Sequence, residues 1–103
     1  MAGSGLPDLT GHTVLITGAS GGIGSAIARR FAQTGAAVIV HGHEGKDRAE
    51  QLAAELTDQG RRALALSADL TDEAACHRLM ADGAAWSGSL TGLINCAAIQ
   101  PVQ

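Results

Sequence analysis

The chain has 103 residues, of which 46% are hydrophobic and 17% charged, and its formal net charge at pH 7 is −3. This length suits one small domain. The acidic balance argues against a nucleic-acid partner, which would require a basic stripe. No apolar run has the length of a membrane-spanning helix, so the sequence also predicts no membrane partner.

The spacing of cysteines and histidines bears on whether the chain has disulfides or a metal site. Cys76 and Cys96 do not form a Cys-x-x-Cys pair, and residues 1–9 lack the charged and apolar regions of a secretory signal. These features predict two reduced thiols in a cytoplasmic protein. The four histidines have no cysteine or carboxylate cluster at ligand spacing, which predicts no metal site and favours loop histidines.

Strands and helices alternate after a polar, glycine-rich leader at residues 1–11. Short apolar segments predict strands at 14–17, 37–40, 62–68 and 90–96. Helical spacing and capping residues predict helices at 22–35, 47–59 and 71–85. Residues 41–46 are predicted to form a loop.

Local signals define the faces and ends of these helices. Ile23, Ile27 and Phe31 are spaced four apart, which predicts that they share the buried face of the first helix. Asp47 and Thr71 are residue types that cap helix N-termini, and they are predicted to start the second and third helices. Glycines at positions 35 and 60 are predicted to end the first two helices.

The alternating order of these elements predicts an α/β fold. It is a Rossmann-like, doubly wound parallel sheet with strand order 3-2-1-4 and helices on both faces. In such a sheet the ligand lies over the carboxyl ends of the first and fourth strands, where the winding reverses.

The run Thr17-Gly18-Ala19-Ser20-Gly21-Gly22-Ile23-Gly24 joins the first strand to the first helix. Gly18 allows a sharp turn, Gly22 keeps side chains away from a phosphate, and Gly24 lets the helix pack closely against the sheet. The helix N-terminus adds free N–H groups and a partial positive charge. A flexible loop in a glycine-rich chain is the alternative, but the flanking strand and helix favour a dinucleotide site.

The same run resembles the cofactor signature of the short-chain dehydrogenase/reductase family. Asp69, in Ala68-Asp69-Leu70 after the third strand, resembles the family's acidic residue that accepts from the adenine amino group. The segment Asn95-Cys96-Ala97-Ala98 resembles the family's Asn-Asn-Ala-Gly, with Cys96 and Ala98 as departures. Leu9-Thr10-Gly11, before the first strand, also resembles the family's entry to that strand. With these segments in order, the resemblance covers essentially the whole chain.

The resemblance implies a nicotinamide cofactor held by residues from four segments. These are Gly18, Ser20, Gly21, Gly22, Ile23, Gly24, His43, Asp69, Leu70, Asn95, Cys96 and Ala97. Two of these positions have a structural alternative: Asn95 could simply tie the fourth strand to its neighbour, and Asp69 could simply shape a turn.

Cofactor choice depends on the end of the second strand, where an acidic residue selects NAD and a basic residue selects NADP. No Asp or Glu stands at that strand end, and His43 occupies the place where NADP-preferring relatives often carry Arg. The sequence therefore favours NADP over NAD. Arg48 is a second candidate for the phosphate, with a solvated helix face as its alternative.

The resemblance also implies a catalytic Ser and a Tyr-x-x-x-Lys pair beyond the fourth strand. The chain has no tyrosine, and its one lysine is Lys46. We therefore expect residues 12–103 to be the cofactor-binding half of an oxidoreductase, truncated after the fourth strand, with no catalytic or metal residues and no turnover alone. A non-catalytic dinucleotide-binding module, a pairing half-subunit and a non-functional remnant are the alternatives.

Two other nucleotide-binding classes fit less well. A P-loop nucleotidase requires a lysine before the Ser or Thr that ends its loop, whereas Gly24 precedes Ser25 here. A methyltransferase-type Rossmann domain does not explain Asp69 and Asn95 together.

The apolar fourth strand would be an uncovered edge, which predicts self-association.

Overall fold

The computed structural model describes residues 7–96, which form a parallel four-stranded sheet with three connecting helices. The elements in chain order are β1 (Thr13–Thr17), α1 (Gly22–Gln33), β2 (Ala37–Gly42), α2 (Lys46–Asp58), β3 (Ala63–Ser67), α3 (Glu73–Ser87) and β4 (Gly92–Asn95). The strand order is β3-β2-β1-β4. The predicted doubly wound α/β fold is therefore confirmed.

The two central strands are buried along their whole length. β1 pairs with β2 from Thr13 opposite Ala37, and with β4 from Val14 opposite Gly92. Parallel sheets bury both faces under crossover helices, which explains the continuous apolar runs in β1 and β2. All carboxyl ends consequently meet at one edge of the sheet.

The helices cover the two faces of the sheet unequally. α1 and α2 pack on one face, which we call the α1–α2 face; its buried cluster includes Val14, Ile16, Ala28, Ala32, Val38, Val40, Leu52 and Leu56. α3 packs on the opposite face, which we call the α3 face; its buried cluster comprises Leu15, Ile39, Ala68, Ala75 and Leu79. Neighbouring strand residues alternate between these faces.

The buried stripe of α1 differs from the predicted one. Ile23 is 60% exposed, and Ile27 and Phe31 are only partly buried. The buried residues of α1 are instead Gly24, Ala28 and Ala32, which have the same spacing of four. Small side chains let the helix approach the sheet closely, and the larger ones then lie along the flanks of the contact.

Three predicted boundaries are wrong. His41 and Gly42 belong to β2 rather than to a loop. α2 begins at Lys46 after Gly45, so Asp47 lies within the helix instead of capping it. The cap of α3 is Asp72, whose carboxylate accepts from the Ala74 N–H at 3.2 Å.

The predicted glycine stops of α1 and α2 are confirmed. Gly35 and Gly60 follow the ends of α1 and α2 with φ of +91° and +81°, which favours glycine at both positions. The described part of the leader is anchored, because the Leu9 N–H donates to the Thr34 carbonyl at 2.8 Å and the Leu9 side chain packs on the α1–α2 cluster. Within residues 7–96 no helix has the length and hydrophobicity required to cross a bilayer.

Candidate functional site

The glycine loop between β1 and α1 folds back on the first turn of the helix. Gly18 has φ +68°, and its carbonyl oxygen accepts from the Gly21 N–H at 3.2 Å. A Cβ on Gly24 would collide with the Gly18 carbonyl oxygen and lie 2.8 Å from the Ala19 Cα. Gly24 is thus required for contact between the helix and the loop, whereas the sequence had suggested contact with the sheet.

The first turn of α1 presents unbonded donors. The Ser25 N–H donates to the Gly21 carbonyl at 2.9 Å and is the first to reach an acceptor in its own helix. The N–H groups of Gly22, Ile23 and Gly24 precede that bond and have no intrahelical acceptor. A Cβ on Gly22 would face open space. Together with the helix dipole, this turn is suited to an anion.

The start of the same loop is hydrogen-bonded to His41, which lies on β2 and is 2% exposed. The Gly18 N–H donates to Nδ1 of His41 at 3.1 Å, and the Ala19 N–H donates to the His41 carbonyl at 2.9 Å. Nε2 of His41 lies 2.8 Å from the Ala68 carbonyl oxygen. Because Nδ1 accepts, Nε2 carries the hydrogen and donates, so the imidazole is neutral.

Sequence reasoning missed His41. A histidine after the apolar run Ala37–Val40 was interpreted as the start of a loop, whereas the strand continues for two more residues. The available signal was positional. Residues 39 and 41 share a face of β2, and the carboxyl end of a central strand is where a buried polar side chain finds backbone partners.

Five of the predicted cofactor residues line one cavity of 320 Å³ at the carboxyl edge of the sheet. They are Gly18, Ser20, His43, Asp69 and Leu70, joined by His41, Glu44, Gly45 and Thr71. A Cβ on Gly45 would lie 2.6 Å from the Ser20 Cβ. The β2–α2 loop therefore closes directly on the glycine loop and forms one wall of the cavity.

Asp69 makes a tight turn between β3 and α3. Its Oδ1 accepts from the Thr71 N–H at 3.0 Å and from the Thr71 hydroxyl at 2.6 Å. These bonds, the hydroxyl first, lower the pKa of the Asp69 carboxyl, and nearby His43 lowers it slightly more. Asp69 thus lines the cavity as a carboxylate while also performing the turn role that the sequence had left open.

The residues at the end of β4 lie apart from this cavity. The Thr17 hydroxyl donates to Oδ1 of Asn95 at 2.8 Å, which ties β4 to β1. Asn95 also lines a second cavity of 390 Å³ between α3 and β4, which shares Leu70 with the first. Cys96 is buried in the α1–α2 cluster. Ala97 lies outside the described residues.

The end of β2 is closed to side chains. A Cβ on Gly42, the last residue of the strand, would lie 2.8 Å from the Gly45 carbonyl oxygen. The first side chain after the strand is the exposed His43. Arg48 is also exposed and lines a separate polar cavity of 210 Å³ with Ser20 and Arg29; Arg29 forms an ion pair with Glu55 at 2.9 Å.

Known proteins are similar to this chain over nearly its whole length. A family model described as short chain dehydrogenase matches residues 12–103. The protein named Oxidoreductase UcpA from Salmonella typhimurium is 43% identical over 91 residues, which are 88% of this chain and 34% of that protein.

Solved structures match in the same way. A dehydrogenase/reductase from Sinorhizobium meliloti 1021 has a TM-score of 0.82 and 38% identity, covering 85% of this chain and 35% of its own. A short chain dehydrogenase from Burkholderia cenocepacia J2315, in complex with NADP, has a TM-score of 0.78 and 39% identity, covering 82% and 35%. The chain spans about a third of the length of these relatives.

Proposed function

The chain belongs to the short-chain dehydrogenase/reductase family, and from this premise we propose that residues 12–103 bind the dinucleotide cofactor of an oxidoreductase. The observation that carries the proposal is the pairing of two features at one edge of the sheet. These are the free amides of the α1 N-terminus and the cavity lined by Ser20, His43 and Asp69.

The amides of Gly22, Ile23 and Gly24 would receive the cofactor's pyrophosphate. Open space at Gly22 supports this placement, because any side chain there would occupy the volume next to the amides. Close packing at Gly24 supports it further, since it fixes the loop against the helix end. Gly21 contributes as the N-cap, the residue immediately before the helix.

The adenosine end would occupy the 320 Å³ cavity, with the Asp69 carboxylate accepting from the adenine amino group and Leu70 packing beside it. Thr17 and Asn95 lie on the other side of Leu70, in the second cavity. We assign that side to the nicotinamide end. Cys96 would act indirectly, by fixing the end of β4 from its buried position.

The cofactor is NADP rather than NAD. Gly42 cannot bear an acidic side chain without moving the β2–α2 loop, so the residue type that rejects a 2′-phosphate is missing at the strand end. His43 is the first exposed side chain after that strand end and lines the cavity, so its ring would donate to the 2′-phosphate. NADP in the Burkholderia cenocepacia relative agrees with this choice.

The nicotinamide supplies hydride chemistry, which in this family links a carbonyl and an alcohol. In the resemblance, a Tyr transfers the proton, a Lys lowers the pKa of that Tyr and a Ser polarises the carbonyl. This chain contains no tyrosine and only Lys46 as a lysine. Lys46 starts α2, on the β2–α2 side of the glycine loop. The 103-residue chain accordingly binds cofactor without turning over substrate.

Titration of the purified chain with NADPH and NADH, followed by nicotinamide fluorescence, tests the proposal. We expect saturable binding, tighter for NADPH, and no consumption of NADPH with carbonyl substrates. Gly22→Val places a branched side chain at the phosphate position and should abolish binding. Ala54→Val introduces the same side chain on an exposed position of α2 and should bind normally. Equal binding by both variants, or turnover by the chain alone, would overturn the proposal.

A further inference from the structure

His41 is a buried side chain that the proposed cofactor contacts do not use. Both of its ring nitrogens are bonded to backbone, one to the Gly18 N–H and one to the Ala68 carbonyl. Gly18 opens the glycine loop, and Ala68 directly precedes Asp69. One imidazole therefore spans the carboxyl ends of β1, β2 and β3, and it lines the cavity between them.

We propose that His41 is a positioning residue for the dinucleotide, which fixes the glycine loop relative to the turn at Asp69 through its neutral imidazole. This inference rests on the proposed cofactor binding. It deepens that proposal, because it explains how two separate loops keep the spacing that a single extended ligand requires.

The hydrogen-bond pattern supports a positioning role over direct contact. His41 takes the Gly18 N–H with its side chain and the Ala19 N–H with its carbonyl. Those two donors are thus unavailable to a phosphate, and only the later amides of the loop remain open. The loop is divided into an anchored start and an open end, and His41 provides the anchor.

The geometry also defines which substitutions separate the two bonds. An asparagine amide can place its oxygen near the Nδ1 position and so accept from Gly18, but it is too short to reach Ala68. A glutamine amide can place its nitrogen near the Nε2 position and donate to Ala68, while leaving the Gly18 N–H without an acceptor. Phenylalanine keeps the ring volume and removes both bonds.

The test compares two ligands on His41→Asn, His41→Gln and His41→Phe, with His77→Gln as an exposed control. NADPH contains the pyrophosphate, whereas adenosine 2′-phosphate reaches only the adenosine cavity. We expect the Gln and Phe variants to bind NADPH about tenfold more weakly, the scale of one lost hydrogen bond. Adenosine 2′-phosphate should change by less than about twofold, since it does not use the loop. The Asn variant keeps the Gly18 bond but loses the link to Ala68, so it should also bind NADPH more weakly, whereas the His77→Gln control should bind both ligands nearly as the parent does.

A purely structural role for His41 would weaken both ligands equally, or neither, and that result would overturn the inference. Hydrogen exchange of the Gly18 amide provides a readout that needs no ligand. It should accelerate in the Gln variant and stay slow in the Asn variant, even if the Phe variant fails to fold. Failure of the parent chain to bind NADPH would refute the proposed function, whereas unchanged Gly18 exchange in the Gln variant would refute the anchor itself.

Discussion

The two faces of the sheet are built differently. The α1–α2 face is closed by two helices over a continuous apolar cluster that includes Val38, Val40 and Leu56. Among residues 7–96, the α3 face has one helix and a smaller cluster, and these residues leave it open beside β4, where Leu93 is 55% and Met80 40% exposed. Apolar burial is thus concentrated on the α1–α2 face. The polar side chains of the candidate site lie at the carboxyl edge of the α3 face.

This division follows from which residues alternate along the strands. Thr17, His41 and Asn95 share the α3 face with Leu15 and line its cavities at the carboxyl ends. The α1–α2 face contributes the helix whose N-terminus presents the free amides. The proposed ligand site therefore lies where a closed hydrophobic face and an open polar edge meet, and substitutions on either side of that junction test this division.

The largest difference should come from equal truncations on the two faces. Leu56→Ala removes a side chain that is 1% exposed from the α1–α2 cluster, and Leu79→Ala one that is 5% exposed from the α3 cluster. We expect losses of about 3–4 and about 2 kcal/mol in the free energy of unfolding, because the open groove beside Leu79 allows the cavity to relax. Urea denaturation measures both. Equal losses would contradict the proposed asymmetry.

A glycine pair tests the junction itself. Gly24→Ala forces a Cβ against the Gly18 and Ala19 backbone, and we expect it to cost about 1–3 kcal/mol and to abolish NADPH binding. Gly22→Ala is the matched control for stability, since its Cβ meets open space. Its melting temperature should equal or exceed that of the parent. If Gly24→Ala is as stable as Gly22→Ala, the loop does not pack as described.

The open face is expected to drive self-association. Leu93→Gln removes the most exposed apolar side chain of β4 and should leave the unfolding free energy within about 0.5 kcal/mol of the parent. Sedimentation at increasing concentration should show less association in the variant. Glu50→Gln, on the exposed side of α2, serves as the control and should associate as the parent does. Unchanged association in Leu93→Gln would place the contact elsewhere.

The smallest expected effect is on the pH dependence of stability. It comes from two matching turns, one before the amino end of β1 at Asp8 and one after the carboxyl end of β3 at Asp69. Asp8 accepts from the Thr10 N–H and hydroxyl just as Asp69 accepts from Thr71, and in both turns these bonds lower the carboxyl pKa. Since the folded pKa is lower than the unfolded one, each turn stabilises the fold at neutral pH. That contribution disappears as the pH falls from about 4 through the folded pKa.

Carboxyl resonances followed by NMR during an acid titration measure both values. Thr71→Val should raise the pKa of Asp69 and leave that of Asp8 unchanged. NADPH should shift the Asp69 resonance alone, because only that turn lines the cavity. A shift at Asp8 of equal size would show that the ligand does not bind at the carboxyl edge.

The sequence allowed the sheet order and the convergence of Ser20, His43 and Asp69 to be predicted. Parallel strands bring their carboxyl ends to one edge, so residues that follow different strands meet there without further information. The glycine loop was equally predictable, because its spacing fixes a strand, a turn and a helix in succession.

Other features depended on contacts that sequence patterns do not contain. The stripe of Gly24, Ala28 and Ala32 has the same period as that of Ile23 and Phe31, and only the close approach of the helix decides between them. The larger side chains suggested the wrong face.

The first residues of α2 and α3 also depend on tertiary contacts and not on sequence pattern alone. Thr71 is engaged by Asp69, which leaves Asp72 to cap α3. Gly45 is the residue before α2, at its N-cap, and its backbone lies against Ser20, where a side chain has no room. His41 was missed for a related reason, since its partners Gly18 and Ala68 are distant in sequence.

Dinucleotide binding, as proposed for this chain, depends on the open amides of the glycine loop. Mapping of backbone amide shifts in the labelled chain on addition of NADPH tests it most directly. We expect the largest shifts at Gly22, Ile23 and Gly24, smaller ones around His43 and Asp69, and none at the exposed face of α2. Saturable shifts centred on any other part of the chain, with the three loop amides unmoved, would contradict it.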